Sequence, residues 1–442
     1  MSALIIFSLL VVLMLTGMPI SIALGLTVMS FFFFLSDVPM ASVGLKLFEG
    51  LNSFPIMAIP FFILAGNFLT NGGAAKRMIH FASTMVGHRY GGLGLVAVLA
   101  CAMFAAISGS SVATVVAVGT IMMPAMQAAG YPKNFSAGVI TTSGALGILF
   151  PPSINLVIFS IATTGMSATG PNGESVATAS VGDLFIAGVV PGLVLATLLG
   201  ITTFYRAKKF DYPRMERATW GERWGAFREA SWGLALIVIV VGGIYSGMFT
   251  PTEAAAIAAV YSFAISVFIY KDMKIMQVPA VLRNAAAMSS MLLYIITNAV
   301  LFSFLLTSEQ IPQAMASWMT MQGFGIVVFL LLVNIILLVA GNFMDPSAIV
   351  LIMAPILFPV AVKMGVDPVH FGILMAVNME VGLCHPPVGL NLYVSSGITK
   401  MGITELTVAV WPWLKTMLVF LVIVSYWPPL TLALPRLLGM VK

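Results

Sequence analysis

The sequence predicts an all-α polytopic membrane protein, and three observations point to this class. Of 442 residues, 60% are hydrophobic and only 8% are charged, against about 25% charged residues in an average soluble domain. The mean hydropathy is +1.06. Apolar runs of about 20 residues, the length that crosses a bilayer as a helix, follow one another along the chain. These numbers exclude a soluble globular protein and a disordered chain.

The net charge and the cysteine content limit what kind of membrane protein this could be. The net charge of +5 is small, so it does not indicate nucleic-acid binding and fits the basic bias of cytoplasmic loops. Cys101 and Cys384 are the two cysteines, and both lie in apolar runs. They are too few for a disulfide framework, and we expect buried thiols.

Ten membrane spans are predicted from hydropathy and from Gly and Pro positions. The first lacks a basic n-region, so it is expected to remain as a helix and not to be cleaved as a signal. Two of the ten are interrupted, after Leu149 and after Leu383. The spans are Ala3–Thr16, Ile20–Leu35, Pro55–Leu69, Asn134–Thr163, Leu184–Tyr205, Ser231–Ser246, Thr252–Tyr270, Ala285–Thr307, Phe371–Ile398 and Trp411–Leu432.

Two further apolar stretches, Gly91–Gly130 and Phe324–Gly365, each contain a polar break near the middle. The breaks read ISGSSVAT at Ile107–Thr114 and AGNFMDPSA at Ala340–Ala348. Such a stretch could form two full spans joined by a buried turn, or a re-entrant hairpin that stops inside the membrane. Small and hydroxyl residues favour the hairpin, because backbone at membrane depth is tolerated only where it lines a cavity.

One hydrophilic segment, Arg206–Glu229, divides the chain near its middle. It holds 11 charged residues, seven of them basic, which predicts a cytoplasmic position. The loop Gly165–Asp183 has two acids and no base, and we place it outside. The predicted organisation is a first half over residues 1–205, a linker over 206–230 and a second half over 231–442.

The two halves share a pattern at a constant offset of 235 residues. LGILFPPSINLVIFS, which begins at Leu146, resembles VGLCHPPVGLNLYVS, which begins at Val381. The matching anchors pair Gly147 with Gly382, Pro151–Pro152 with Pro386–Pro387, Ser160 with Ser395, and Pro124 with Pro359. The two interrupted helices are the fourth and the ninth of the predicted spans, so they run in opposite directions, and the pattern indicates an inverted repeat.

The polar breaks in the hairpins and the proline interruptions in the two helices predict which groups could bind Na⁺ and an anionic substrate. Pro in a helix frees the carbonyl four residues earlier, so an unwound helix offers oxygens to Na⁺ and a half-helix N-terminus to an anion. The alternative is a simple proline kink in which Ser and Thr bond back to their own helices. The expected Na⁺ ligands are Ser108, Gly109, Ser110, Ser143, Gly147, Gly341, Asn342, Asp345, Asn378 and Gly382. The expected substrate contacts are Ser110, Ser111, Ser153, Asn155, Asn342 and Asn391, and Ser347 is a further oxygen source.

Several individual side chains have a predicted role, and for two of them, Asp345 and Glu380, two roles are possible. Asp345 either contributes to a Na⁺ site or caps the following helix at Ser347 and Ala348. Glu380 either binds a cation or proton or ties down backbone amides. Glu253, in the sequence TPTE, predicts a structural capping box. Trp411, Trp413 and Trp427 are expected to anchor helices at the membrane interface.

Enzyme chemistry has no support in the sequence. It contains no GxxxxGK[ST], HExxH or GxSxG motif, so we expect neither ATP hydrolysis nor a redox cofactor. An ion channel and an intramembrane enzyme remain as alternatives from other classes. Polar hairpin tips disfavour the channel, and the lack of a nucleophile–base pair disfavours the enzyme.

Four motifs together resemble the large membrane subunit (DctM type) of tripartite ATP-independent periplasmic transporters. They are ISGSSVATVVAVG, GMFTPTEAAAIAAVY, LLVAGNFMD and NMEVGLCHPPVGLNLYV, in the order in which the family has them. The resemblance covers essentially the whole chain, and the C4-dicarboxylate members are the most similar. It implies a scaffold and a mobile elevator domain in a bacterial inner membrane, with hairpin tips at Ser108–Ser111 and Gly341–Asp345 and unwound helices at Ser143–Ser153 and Asn378–Gly389.

The resemblance also implies partners and a coupling ion. Members of the family import organic anions with Na⁺, together with a small four-helix membrane subunit and a periplasmic substrate-binding protein. We therefore expect import of C4-dicarboxylates such as succinate, fumarate or malate. A stand-alone dicarboxylate/Na⁺ symporter, and another organic acid such as a sialic or keto acid, stay open as alternatives.

Overall fold

A computed structural model describes residues 2–36, 38–164, 166, 168–171, 173–342, 344–386 and 389–440. The first half of the chain forms α1 (Ser2–Leu15), α2 (Ile20–Leu35), α3 (Met40–Leu51), α4 (Ala58–Asn71), α5 (Ala74–Val86), α6 (Gly92–Ser108), α7 (Ser111–Ala128), α8 (Lys133–Gly144), α9 (Ile154–Thr163) and α10 (Val181–Lys209). Single 3₁₀ turns precede α4 at Phe54–Met57 and follow α8 at Ala145–Ile148.

The second half forms α11 (Trp220–Ile237), α12 (Gly243–Tyr245), α13 (Pro251–Ala264), α14 (Val278–Ser308), α15 (Ile311–Met321), α16 (Ile326–Gly341), α17 (Pro346–Lys363), α18 (Pro368–Cys384), α19 (Leu390–Thr399), α20 (Ile403–Tyr426) and α21 (Pro429–Leu437). Short π-helical segments, Val238–Gly242 and Ile265–Ile269, follow α11 and α13, and a 3₁₀ turn at Ile275–Gln277 precedes α14.

The all-α prediction is confirmed, with one small addition. Among the described residues, eight helices are long and apolar enough to cross a membrane. The first two predicted spans are helices of 14 and 16 residues. In the loop predicted to lie outside, Ala168–Thr169 pairs antiparallel with Ser175–Val176. Hydropathy did not indicate this short ribbon, because only its backbone pairing defines it.

Helix starts follow local capping chemistry. Thr250 precedes α13 with Pro251 at its first position, and the Thr250 hydroxyl and Glu253 carboxylate bond reciprocally to each other's backbone N–H. The predicted capping box is therefore confirmed, and it satisfies two donors that a helix start leaves open. Ser180 and Asp183 start α10 in the same way.

The core is centred on α8 and α18, while the helices around them present apolar side chains outward. Every residue of α18 is buried. Leu15, Phe34 and Val327 expose 81%, 75% and 59% of their surface. Lipid is as apolar as a protein core, so this outward apolar surface is what a membrane-embedded chain needs.

The structure also tests the predictions for the cysteines, the hydrophilic segment and the tryptophans. Cys101 and Cys384 are buried free thiols, as expected. The hydrophilic segment is not one continuous loop, because α10 continues to Lys209 and α11 begins at Trp220. Trp411 and Trp427 are 44% and 55% exposed, which fits an interfacial position.

The anchor role predicted for Trp413 is wrong. Its side chain is completely buried. Its indole Nε1–H donates to the Thr203 hydroxyl over 2.8 Å, and its ring meets the Phe135 ring edge-on. A buried tryptophan needs a partner for its N–H, and α10 supplies that partner.

Candidate functional site

The tip of the first hairpin, Ser108–Ser111, rests on the interruption between α8 and α9. Gly109 in this tip has a φ of +60°, and a Cβ there would lie 2.2 Å from the Pro152 carbonyl oxygen. A Cβ on Gly147 would lie 2.5 Å from the Ser110 carbonyl carbon. Backbone touches backbone at both positions, so only glycine fits.

The tip of the second hairpin makes the matching contact in the other half. A Cβ on Gly341, at the end of α16, would lie 3.1 Å from the Gly382 Cα. Asp345 precedes α17, and its Oδ2 accepts the Ser347 N–H over 2.9 Å. The helix-capping interpretation of Asp345 is confirmed at Ser347, and a role toward a cation stays a prediction.

Each tip is also bonded to the half-helix that follows the break in the opposite half. Ser111, on the first tip, exchanges two hydrogen bonds of 3.0 and 2.8 Å with the Asn391 side chain on α19. Ser347, on the second tip, donates to the Asn155 Oδ1 on α9 over 3.1 Å. Residues separated by 280 and 192 positions in the chain therefore meet in reciprocal pairs.

A cavity of about 240 Å³ lies where the two tips approach each other. Gly109, Ser110 and Ser111 line it from the first tip, and Asp345 and Ser347 from the second. Asn155 lines it from α9, and α14 closes it with Met288 and Met291. Hydroxyl, amide and carboxyl groups thus face one small space beside an apolar wall, an arrangement suited to a small polar ligand.

Three of the six predicted substrate contacts line this cavity, namely Ser110, Ser111 and Asn155. The other three, Ser153, Asn342 and Asn391, are not among its lining residues, and each is buried and hydrogen-bonded to protein. Ser153 donates to the Ile148 carbonyl and accepts the Leu156 N–H. Asn342 donates to the Leu338 carbonyl, and its Oδ1 lies 3.2 Å from His385 Nδ1.

Asn391 is completely buried. Besides its pair with Ser111, its amide donates to the Thr141 carbonyl over 3.3 Å. Asn391 therefore holds the first tip in place through Ser111. Asn155 holds the second tip through Ser347 and also lines the cavity.

Some of the predicted Na⁺ ligands have oxygens that already take part in hydrogen bonds within the protein. The Ser108 hydroxyl lies 3.1 Å from the Thr114 hydroxyl. The Gly382 carbonyl accepts the His385 N–H, because α18 remains helical to Cys384. The interruption is thus shorter than the predicted Asn378–Gly389. Pro387, one anchor of the repeat, lies outside the described residues.

Two of the predicted ligands carry a buried oxygen without a partner in the part of the chain that the structure describes. These are the Ser143 hydroxyl on α8 and the Asn378 Oδ1 on α18. Both residues are completely buried, and the Asn378 amide donates to Asn334. Unpaired buried oxygens are costly unless another group completes them, and a cation would do so.

Glu380 is the third such group. It is completely buried, and neither carboxyl oxygen makes a hydrogen bond of good geometry with the described residues. The Leu149 backbone N–H still acts on this carboxyl group, so both sequence interpretations of Glu380 stay predictions.

Sequence reasoning did not find Met288 and Met291. Both belong to α14, which reads as an ordinary apolar span, and the chain contains 30 methionines. No local signal separates these two from the others, because only packing against the tips brings them to the cavity.

Two helical hairpins whose tips meet two interrupted helices around a polar cavity form an arrangement that is typical of secondary transporters. Comparison with known proteins agrees with this class. Residues 7–430 match the family described as tripartite ATP-independent periplasmic transporter, DctM component. The chain belongs to this family, so it is a multi-pass transport subunit and not an enzyme.

Individual relatives are similar over the full length. The chain is 69% identical, over all of both chains, to the C4-dicarboxylate TRAP transporter large permease protein DctM of Rhodobacter capsulatus. It is 52% identical to the protein of the same name from Pseudomonas aeruginosa, over 90% of each. The crystal structure of the Alcanivorax borkumensis YdaH transporter has a TM-score of 0.62 at 14% identity, covering 89% of this chain and 90% of that one. This last likeness concerns the fold alone.

Proposed function

We propose that this chain is the permease of a Na⁺-coupled importer for C4-dicarboxylates such as succinate, fumarate and malate, in a bacterial inner membrane. A periplasmic binding protein delivers the substrate, and a small four-helix membrane subunit completes the complex. The single observation that carries the proposal is the cavity at which both hairpin tips meet. The names of relatives that are 69% and 52% identical support the dicarboxylate class.

Carboxylate binding at this cavity is supported by the Ser110 hydroxyl and by two helix N-termini. Ser110 directly precedes α7, and Ser111 and Ser347, whose hydroxyls already donate to Asn391 and Asn155, stand in the first turns of α7 and α17. Helix N-termini attract anions through their free N–H groups and their dipole. No Lys or Arg lines the cavity within the described residues, so bound Na⁺ would supply the compensating positive charge.

Sodium binding is supported by the unpartnered oxygens of Ser143 and Asn378. The two positions are 235 residues apart, the offset of the sequence repeat. α7 and α17 begin 235 residues apart, at Ser111 and Pro346, as do α8 and α18. We infer one Na⁺ site in each of two inverted halves, in a unit of hairpins and interrupted helices that moves as an elevator against the remaining helices.

The charge of the substrate sets the number of ions. A dicarboxylate carries two negative charges near neutral pH, and moving one charge through 100 mV is worth about 2.3 kcal/mol. An inside-negative membrane therefore opposes the bare dianion by about 4.6 kcal/mol at 100 mV. Two Na⁺ cancel the charge, and a third lets the voltage assist. We expect at least two Na⁺ per dianion.

The test is succinate uptake into liposomes that contain the permease and its small subunit, with the binding protein outside. The Na⁺ gradient and the voltage are varied independently. We expect uptake that requires Na⁺ and whose response to voltage reports the ion count. Accumulation driven by a proton gradient without sodium would refute the sodium assignment.

Two adjacent hydroxyls offer a matched pair of variants. Ser143 has an unpartnered hydroxyl, whereas the Thr142 hydroxyl donates to the Gly138 carbonyl of its own helix. Ser143→Ala should raise the Na⁺ concentration for half-maximal uptake, because it removes an ion ligand. Thr142→Val should leave this concentration unchanged. Equal behaviour of both variants would remove Ser143 from the sodium site.

The alternatives give different results in the same assay. A stand-alone symporter would take up succinate without the binding protein. A channel would conduct without it and without accumulation. A permease for a sialic or keto acid would accumulate that acid in preference to succinate once its own binding protein is supplied.

A further inference from the structure

A second cavity, which we call the basic cavity, lies beside the first turns of α11, far in the chain from either hairpin tip. Its volume is about 660 Å³. It is lined by α5, by α11 and by the residues that follow α13. Arg228 and Glu229, two of its lining residues, belong to the hydrophilic segment that is predicted to be cytoplasmic. The basic cavity is therefore expected at the inner surface of the membrane.

Both acidic side chains of the basic cavity already face a basic partner. Asp272 forms a salt bridge with Arg77, whose guanidinium carbon also lies 3.8 Å from the centre of the Tyr270 ring. A Glu229 carboxylate oxygen lies 3.5 Å from His80 Nδ1. The Tyr270 hydroxyl donates to the Glu229 carbonyl over 3.0 Å. These contacts join the three elements that line the cavity.

Two cations of the basic cavity remain free. The Lys76 ammonium and the Arg228 guanidinium have no hydrogen-bond or ion-pair partner within the described part of the chain, and both side chains are exposed. Single exposed cations are ordinary on a surface. These two stand on different helices, α5 and α11, and reach one cavity. Two converging cations beside open space suit a phosphate group.

Aromatic side chains place this cavity at the level of the lipid headgroups. Trp224, Arg228 and Trp232 follow each other at intervals of four residues, so they share one face of α11. Both tryptophans are exposed, which is typical of the membrane interface. Ile269 lines the cavity beside Trp232, and Phe268 next to it is exposed as well. The cationic space thus borders apolar surface of the kind that acyl chains cover.

We propose that the basic cavity binds the headgroup of an anionic phospholipid of the inner leaflet. Lys76 and Arg228 hold the phosphodiester, and the acyl chains lie against Trp232 and Ile269. Basic pockets between membrane helices on the cytoplasmic side are suited to such headgroups. α5 leads directly into α6, the first helix of the first hairpin. A lipid bound here therefore links α11 to the entrance of that hairpin, a role beyond the proposed function.

Thiol labelling tests the site without changing its charges. Gly225 lines the basic cavity, and Gly221 lies one turn earlier on α11; a Cβ at either position would have no atom within 4 Å. Both native cysteines are buried. In the purified, detergent-solubilised permease with its small subunit, added phosphatidylglycerol should slow the reaction of Gly225→Cys with an uncharged maleimide severalfold. Phosphatidylcholine should not, and Gly221→Cys should react equally in both lipids. Equal rates for Gly225→Cys in both lipids would overturn the proposal.

A charge variant identifies the residues that bind the lipid. In the Gly225→Cys protein, Lys76→Gln with Arg228→Gln should raise the phosphatidylglycerol concentration for half-maximal protection about thirtyfold, since each basic residue near an anionic headgroup contributes about fivefold. The control is Lys208→Gln with Lys209→Gln, which removes the same charge at the exposed end of α10, outside the cavity. Equal loss of protection in both double variants would also overturn the proposal.

Other occupants of the basic cavity give different results in this assay. A soluble anion is the ligand if inorganic phosphate protects Gly225→Cys as strongly as phosphatidylglycerol does. The face is a protein interface if the small subunit, added to the permease without phosphatidylglycerol, gives that same protection. Either result would overturn the proposal. None of these measurements uses transport, so their outcome does not depend on the substrate or the coupling ion.

Discussion

Gly147→Ala tests whether the first tip is held against the interrupted helix. The added Cβ would lie 2.5 Å from the Ser110 carbonyl carbon, whereas ordinary contacts begin at 3.4 Å. The neighbour is backbone, so no side chain can rotate away, and the tip must move by about 0.9 Å, the difference between these two distances.

That movement has a calculable effect on the next contact. The two hydrogen bonds between Ser111 and Asn391 measure 3.0 and 2.8 Å. An outward shift of about 0.9 Å would take both beyond hydrogen-bonding distance. Losing them costs about 1–3 kcal/mol in total, and overpacking costs about 1–3 kcal/mol. We expect Gly147→Ala to destabilise the protein by about 2–6 kcal/mol, the sum of these two ranges.

The assay is the apparent melting temperature of the detergent-solubilised protein, with and without NaCl. Gly397→Ala is the matched control, because Gly397 lies in α19 and a Cβ added there would have no atom within 4 Å. Alanine there should be neutral or slightly stabilising. If Gly147→Ala melts at the same temperature as Gly397→Ala and transports normally, the proposed packing of the tip is wrong.

Three shorter predictions use the same melting assay. Ser347→Ala should destabilise by about 0.5–1.5 kcal/mol, and a double-mutant cycle with Asn155→Ala should be non-additive; additive effects would mean that the pair does not interact. Glu380→Gln should fold at least as well as the parent, because a buried carboxyl that makes no hydrogen bond of good geometry gains nothing from charge; loss of folded protein would reveal an ionic partner. Trp413→Phe should cost about 1 kcal/mol through its lost indole hydrogen bond, whereas Trp411→Phe at the exposed surface should cost almost nothing, and equal losses would contradict the burial of Trp413.

The sequence determined the features that depend on one segment at a time. Hydropathy indicated the helices, and the polar breaks at Ile107–Thr114 and Ala340–Ala348 indicated where the hairpins turn. The capping box at Thr250 could be predicted because its donors and acceptors lie within three residues of each other. These signals are local, so no knowledge of the remaining chain was needed.

The tertiary structure alone decided which residues meet. Ser111 and Asn391 are 280 residues apart, and only the docking of each tip on the opposite half makes them a pair. The burial of Trp413 and the position of Met288 beside the cavity likewise had no signal. In a membrane protein, lipid-facing and protein-facing side chains are equally apolar. Hydropathy therefore says that a residue lies in the membrane, and helix packing decides whether it faces lipid, another helix or the substrate.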